Sequence, residues 1–344
     1  MSSTSPREAQ PREVLTPSEL WRLSPTTIGT ICGVVSAAAY AGASFCLRRV
    51  VLNCDPVWVA CVRAVPVAVV SLTLVVLQTR QGRTGLPPRR LFGALLATAV
   101  FVQFGGNVSF QWAMGQIGLA MTTALTYSTL ILGGALLGWI FLGEKLSLHA
   151  TVGLAILLGA VGLLTLGAGD AAASMQRGEP ESLTLLAWAV GAAGLPGIAY
   201  AVCNAVIRRM VTNYTSLSGT LVFFSVTGVV VLGFLSVARE GFDGFPETDS
   251  ESLAYMIAAG LLNAVAFYGI SKGLQLMPIA RANALNASQL AMVALMGMVF
   301  FDEAASLGLI GGLALMIAGL FLLHRGGAKC SREARGQSPS QRAS

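Results

Sequence analysis

Between residues 28 and 324 the chain is a succession of apolar runs near helix-spanning length, separated by short polar joints. They fall at 28–47, 57–77, 91–110, 118–141 and 148–167, then at 185–207, 217–237, 253–271, 279–301 and 306–324. About twenty residues rising 1.5 Å each cross a 30 Å hydrocarbon layer as an α-helix. A membrane β-barrel would instead show runs of about ten residues alternating in polarity, and the sequence has none. The pattern predicts ten transmembrane helices, five on each side of a polar linker at 168–184. Residues 1–26 are polar without an apolar core, so they are not a signal peptide; they are expected to be a disordered cytoplasmic tail. The basic, Ser- and Gln-rich stretch 325–344 is expected to be a second one.

The chain says much of this twice. Gly118-Leu119-Ala120, Ala124-Leu125-x-x-Ser128, Gly143-Glu144 and Gly153-Leu154-Ala155 recur as Pro278-Ile279-Ala280, Ala284-Leu285-x-x-Ser288, Asp302-Glu303 and Gly312-Leu313-Ala314. Upstream, Tyr40-Ala41 and Arg48-Arg49-x-Val51 recur as Tyr200-Ala201 and Arg208-Arg209-x-Val211. The offset is 160 residues, falling to 159 after one gap. A repeat of this length fixes the architecture before anything else does. The two units are 27–167 and 185–324. Because five is odd, the second must enter the membrane inverted relative to the first. Inverted repeats are a signature of secondary transporters that bind solute near the membrane midplane.

Composition agrees with the pattern. Of 344 residues, 54% are hydrophobic and 11% charged, with mean hydropathy +0.70. Soluble domains carry about a quarter charged residues, so this chain cannot cover a water-facing surface. The formal charge of +6 does not point to nucleic acid, because no basic face is interleaved with aromatics. It follows loop topology instead: with the N-terminus inside, sixteen Lys and Arg lie in inner segments and four in outer ones. The positive-inside rule then places both termini in the cytoplasm and the protein in the inner (plasma) membrane. The six cysteines have no paired metal spacing and read as small core residues; no cofactor or metal is expected.

Gly143-Glu144-Lys145-Leu146-Ser147 followed by Gly153-Leu154-Ala155-Ile156-Leu157-Leu158-Gly159 resembles the EamA-type repeat. Asp302-Glu303 followed by Gly312-Leu313-Ala314-Leu315-Met316-Ile317-Ala318-Gly319 resembles its second copy, with Asp302 where Gly is usual. The resemblance covers roughly 28–324 and implies a ten-helix carrier of the drug/metabolite transporter superfamily. Arg63 also matches an arginine common in the family's second span.

Candidate chemistry follows from the repeat. The offset pairs Thr123 with Asn283, Thr126 with Asn286 and Thr129 with Gln289, polar positions three apart that share one helix side. Lipid cannot hydrogen-bond such a stripe, so it faces protein or a water-filled cavity. One reading is a midplane cavity lined by both stripes; the other is adhesion between helices, for which these residue types are also common. Arg63, a charge inside a span with no acidic residue in any span to neutralise it, either captures an anionic group of a solute or is a structural arginine. Among the aromatics Tyr40, Trp112, Tyr127, Tyr200 and Tyr268, which could line a cavity, Trp112 and Tyr268 also fit interface anchoring. Tyr40 and Tyr200 are mid-span and related by the offset, and Asn107, Asn204 and Asn263 are further lining candidates. Pro196 should interrupt its helix and expose backbone groups or form a hinge. Glu144 and Glu303, at span ends, read as caps or loop contacts rather than as proton carriers.

The expected function is therefore secondary transport of a small polar metabolite, amino-acid-like and exported, by alternating access. The alternative solute is an anionic one, phosphorylated or nucleotide-linked, taken up or exchanged. An enzyme would need a Ser or Asp with a His or Asp partner inside the spans, and none is available. A membrane scaffold is the remaining class; it would not require polarity on the matched stripes. The expected partners are the lipid bilayer and a small-molecule substrate. A monomer is the default, with a homodimer possible.

Overall fold

The computed structural model describes residues 25–81, 88–142, 151–166, 183–213, 217–240, 247–276, 285–303 and 305–336, with Leu154, Leu157, Thr165 and Ala287 left out. Among these residues all regular structure is helical. The elements are α1 (Pro25–Val50), α2 (Pro56–Arg80), α3 (Phe92–Phe101), a π-helical segment (Val102–Val108), α4 (Ser109–Ile117) and α5 (Leu119–Leu142). They continue with α6 (Thr151–Leu164), α7 (Leu183–Asn213), α8 (Leu217–Glu240), α9 (Ser250–Leu276), α10 (Gln289–Phe301) and α11 (Leu307–Gly336). A short 3-10 turn, Arg89–Leu91, leads into α3, and the stretch Arg89–Ile117 runs as one span.

Six helical spans are long and apolar enough to cross a membrane, and four further apolar helices are shorter within the described residues. α11 continues to Gly336, past the expected span end at 324. The linker expected at 168–184 lies outside the described residues save Leu183 and Thr184, which begin α7.

The helix ends have local causes. Asp55 caps α2, its Oδ1 accepting from the Val57 N–H at 2.9 Å and the Trp58 N–H at 3.1 Å, with Pro56 in the first turn where its missing N–H costs nothing. Gly118 breaks α4 from α5 at φ 79°, a conformation that a side chain disfavours. Asp302 ends α10 at φ 50°. Gly, Asn and Asp are the residues that tolerate this region, so Asp standing in place of the usual Gly preserves the turn.

Burial is that of a membrane protein. The core is rich in small side chains, with Ala37, Ala41, Ala99, Ala113, Ala124, Ala193 and Ala266 fully buried, while Val69, Leu72, Val230, Phe234, Leu295 and Val299 are turned outward. An apolar exterior is stable against lipid tails rather than water. Small residues let backbones close in. A Cβ on Gly197 of α7 would run into the Thr126 carbonyl and Thr129 hydroxyl of α5, and one on Gly260 of α9 would run into the Arg63 carbonyl of α2.

The most extensive helix pairs are α1 with α9, α2 with α8 and α5 with α7, each joining an early helix to a late one. The α1–α2 junction, the start of α5, the α8–α9 junction and the α10–α11 junction gather at one end of the bundle, here the upper end. Arg239 reaches Asp55 there at 3.2 Å, and the Trp58 Nε1–H donates to Thr248 at 2.9 Å. At the lower end Leu91, Val206 and Ile207 pack against one buried cluster that includes Leu95, Cys203 and Phe224, so α1 runs upward and α7 downward.

Candidate functional site

Arg63 lies seven residues into α2, roughly 10 Å along the axis at 1.5 Å per residue. Its guanidinium donates to Oδ1 of Asn107 in a close hydrogen bond. The Tyr200 hydroxyl of α7 donates to the same oxygen at 2.9 Å, and Asn107 Nδ2 donates to Gln103 Oε1 at 2.6 Å. Gln103 is in turn fixed by its own donation to the Phe224 carbonyl of α8 at 3.0 Å. Gln103 and Asn107 are four residues apart within the π-helical segment, a wide turn that recurs at functional positions in other helices. The segment's glycines admit the neighbouring side chains: a Cβ on Gly106 would stand 2.9 Å from the Tyr200 ring. Gly228 of α8 does the same for Gln103, whose Nε2 would be 2.6 Å from a Cβ there.

A second polar cluster stands beside the first. The Gln289 side chain of α10 donates to the Tyr127 hydroxyl of α5 in a close contact, and Asn286 Nδ2 approaches the same oxygen at 3.4 Å. Ser36 of α1 donates to the Ala266 carbonyl at 2.7 Å and lies 3.5 Å from Asn286 Oδ1. Tyr40 lies near members of both clusters, within electrostatic reach of Tyr127, Tyr200, Cys203 and Arg63. Tyr40, Asn107, Tyr127, Tyr200 and Asn286 are each partly accessible, and they come from both halves of the chain. With Arg63 and Gln289 they form a polar centre in the helix bundle. Arg63 is only 9% exposed, and among the described residues it has no carboxylate partner.

The threonine stripe has other work. Pro196 lacks the N–H that would bond the Ala192 carbonyl four residues back. The Ser109 hydroxyl donates to that carbonyl at 2.8 Å, Thr126 donates to Ala193 at 2.7 Å and Thr129 to Gly194 at 2.7 Å. Thr123 donates to Leu119 of its own helix at 2.8 Å. The Ser109, Thr126 and Thr129 hydroxyls satisfy backbone around the proline and hold α4 and α5 against α7. Asn204 is exposed and takes no part in either cluster. Asn283 lies outside the described residues. Of the sequence candidates, the structure thus brings together Tyr40, Arg63, Asn107, Tyr200, Asn286 and Gln289. Tyr127, one of the span aromatics offered by the sequence, stands with them. The structure adds Gln103 and Ser36; the pair Gly105-Gly106 just before Asn107 was the available signal for Gln103.

A different polar site closes the upper end. The Glu303 carboxylate, 7% exposed, accepts from Arg48 Nε at 3.0 Å, from the Leu119 N–H at 2.6 Å and from the Ala120 N–H at 2.9 Å. The cap expected of Glu303 is present, but on α5, far away in sequence. Arg48, expected in an outer loop, is buried and paired.

A helical bundle with a lipid-compatible exterior and a polar centre is the build of a multi-pass membrane protein. The EamA-like transporter family matches residues 27–166 and again 187–325, and the chain belongs to that family. The drug/metabolite transporter resemblance accords with it, and the family is one of small-molecule transporters rather than enzymes. A solved structure titled only "Crystal structure of protein" is similar at a TM-score of 0.59 and 14% identity, over 90% of this chain and 99% of that one. At that identity the likeness speaks for the fold alone. No curated protein matches the sequence.

Proposed function

We propose that the chain is a secondary transporter that moves a small, polar, amino-acid-like metabolite outward across the inner (plasma) membrane by alternating access. It would have ten crossings in two inverted repeats and both termini in the cytoplasm. The observation that carries the reading is the polar cluster of Arg63, Asn107 and Tyr200 beside Tyr40, Tyr127, Asn286 and Gln289, which we read as the lumen that receives the solute. In this reading Arg63 takes a solute carboxylate, and amide and phenol oxygens accept from its amino group.

The helix pairing supports the inverted repeat. The offset of 160 maps α1 onto α7, α2 onto α8, the span Arg89–Ile117 onto α9 and α5 towards α10. Under that exchange the pair α1–α9 becomes α7 with the π segment and α4, which also pack together; α5–α7 becomes α10–α1, another packed pair. The opposite directions of α1 and α7 supply the inversion. Among the described residues no Asp, Glu or His reaches the lumen, which favours exchange or downhill export over coupling through a carboxylate proton.

The test is counterflow in proteoliposomes with amino acids, organic acids and phosphorylated metabolites as trial solutes. An amino acid should exchange in the native protein and fail to do so in Arg63→Gln. The unmatched guanidinium also favours the second reading, an anionic phosphorylated or nucleotide-linked solute; exchange of such a solute in place of amino acids would select it. A folded protein that exchanges none of them contradicts both and leaves the scaffold reading.

A further inference from the structure

The strongest polar arrangement outside the lumen is the Glu303 site, and the lumen mechanism does not use it. Three donors from two helices converge on one carboxylate: the Arg48 guanidinium from the end of α1, and the first two N–H groups of α5. The positive end of the α5 dipole and the arginine charge both favour an anion here. The chain is shaped around it. Left-handed Asp302 turns the backbone out of α10, so that the Glu303 N–H returns to the Gly297 carbonyl at 3.2 Å. A Cβ on Gly297 would stand 2.6 Å from Oε2, and one on Gly118 would stand 2.8 Å from Cδ. Arg48 is also held over the Phe301 ring at 4.9 Å. Each group comes from a different place in the chain: Arg48 and Leu119 from the first family match, Glu303 from the second.

We infer that Glu303 is the latch of the upper gate, tying α10 to α1 and α5 and closing the path from the lumen to that end. This rests on the transporter reading above. In alternating access α10 must part from α1 and α5 at this end, and a carboxylate holding three donors sets the barrier to parting. Only an anion with acceptors on both oxygens suits the site. A glutamine would turn an NH2 toward donors already pointing inward, leaving at least one of them unpaired.

The test is a distance measurement between spin labels on the full chain, at Leu52→Cys beside the end of α1 and Leu307→Cys at the start of α11. Both positions are exposed, and the six native cysteines are replaced. The native latch should give mainly one short distance. Glu303→Gln should raise the longer-distance fraction roughly tenfold or more, as expected for losing a charge-assisted hydrogen bond. Arg48→Gln, which leaves the α5 cap in place, should raise it by less, and should decide the matter if Glu303→Gln does not fold. Arg239→Gln, which breaks the exposed pair with Asp55 at the same end, should leave the distribution unchanged. A distribution unaltered in Arg48→Gln, and in any folded Glu303→Gln, overturns the latch. Because the labels report without any solute, that result is separate from a loss of the transport reading, which would appear as absent counterflow in the native protein.

Discussion

Arg48 and Arg63 are both buried arginines in the first half of the chain, and their surroundings differ in one respect. Arg48 faces a carboxylate that is itself held by two backbone N–H groups. Arg63 faces an amide oxygen and phenols, with no carboxylate among the described residues. A buried charge with a matched partner closes a structure, since removing one member strands the other. A buried charge held only by neutral dipoles keeps capacity for a counterion from outside. The upper junction thus ties helices together, while the polar centre carries the charge that the proposed transport assigns to solute binding.

The largest effect should come from breaking the matched pair. Arg48→Ala leaves Glu303 buried without its counterion and should cost about 3 kcal/mol or more, seen as a lower unfolding temperature in detergent. Arg63→Ala should cost much less stability while abolishing solute exchange. If both variants lose stability equally, Arg63 is structural and the contrast fails.

Close packing comes next. Gly197→Ala puts a methyl group into the α5 backbone at Thr126 and Leu130, and overpacking of this kind costs about 1–3 kcal/mol. Gly106→Ala meets only the Tyr200 ring, so it should impair exchange more than thermal stability. Tyr200→Phe removes one donation to Asn107 and should cost about 1 kcal/mol, with weaker solute affinity as its more telling readout.

The smallest effects belong to the exposed end groups. Arg239→Gln should change stability by at most about 1 kcal/mol, because Arg239 is 56% exposed and its Asp55 partner 30%. Asp249 caps α9, and hydrogen bonds from the Ser252 hydroxyl and then its backbone N–H hold its carboxyl below the usual carboxylate range. A lowered carboxyl pKa stabilises the fold above the unfolded value, and the contribution is lost as pH falls through the folded one. Native protein and Ser252→Ala should therefore differ slightly in unfolding temperature at neutral pH, and the gap should close in acid.

The apolar runs made the helices legible, because lipid demands near-continuous hydrophobicity at a fixed length. The repeat made Tyr40, Tyr200, Asn286 and Gln289 legible, since polarity recurring at one offset in apolar surroundings requires a reason. Reach was not legible. Thr126 and Gln289 are both polar stripe residues, yet a threonine beside Pro196 meets the bare carbonyls of α7, while a glutamine extends to Tyr127. Gln103 and the Arg48–Glu303 pair escaped for a related reason. The Phe224 anchor of Gln103 and the Glu303 partner of Arg48 lie more than a hundred residues away, and a single sequence does not show which helices pack together. The duplicated Arg-Arg and terminal Glu positions marked both ends of such a pair without joining them.

The most direct test of the central claim is a thermal-shift titration of purified protein with the solute that exchanges, in native, Arg63→Gln and Arg48→Gln forms. A ligand that binds only the folded state raises its unfolding temperature with concentration. The unmatched lumen arginine predicts a rise in the native protein and in Arg48→Gln, from a lower baseline in the latter, and none in Arg63→Gln. A rise that persists undiminished in Arg63→Gln would contradict it and place the solute away from this lumen.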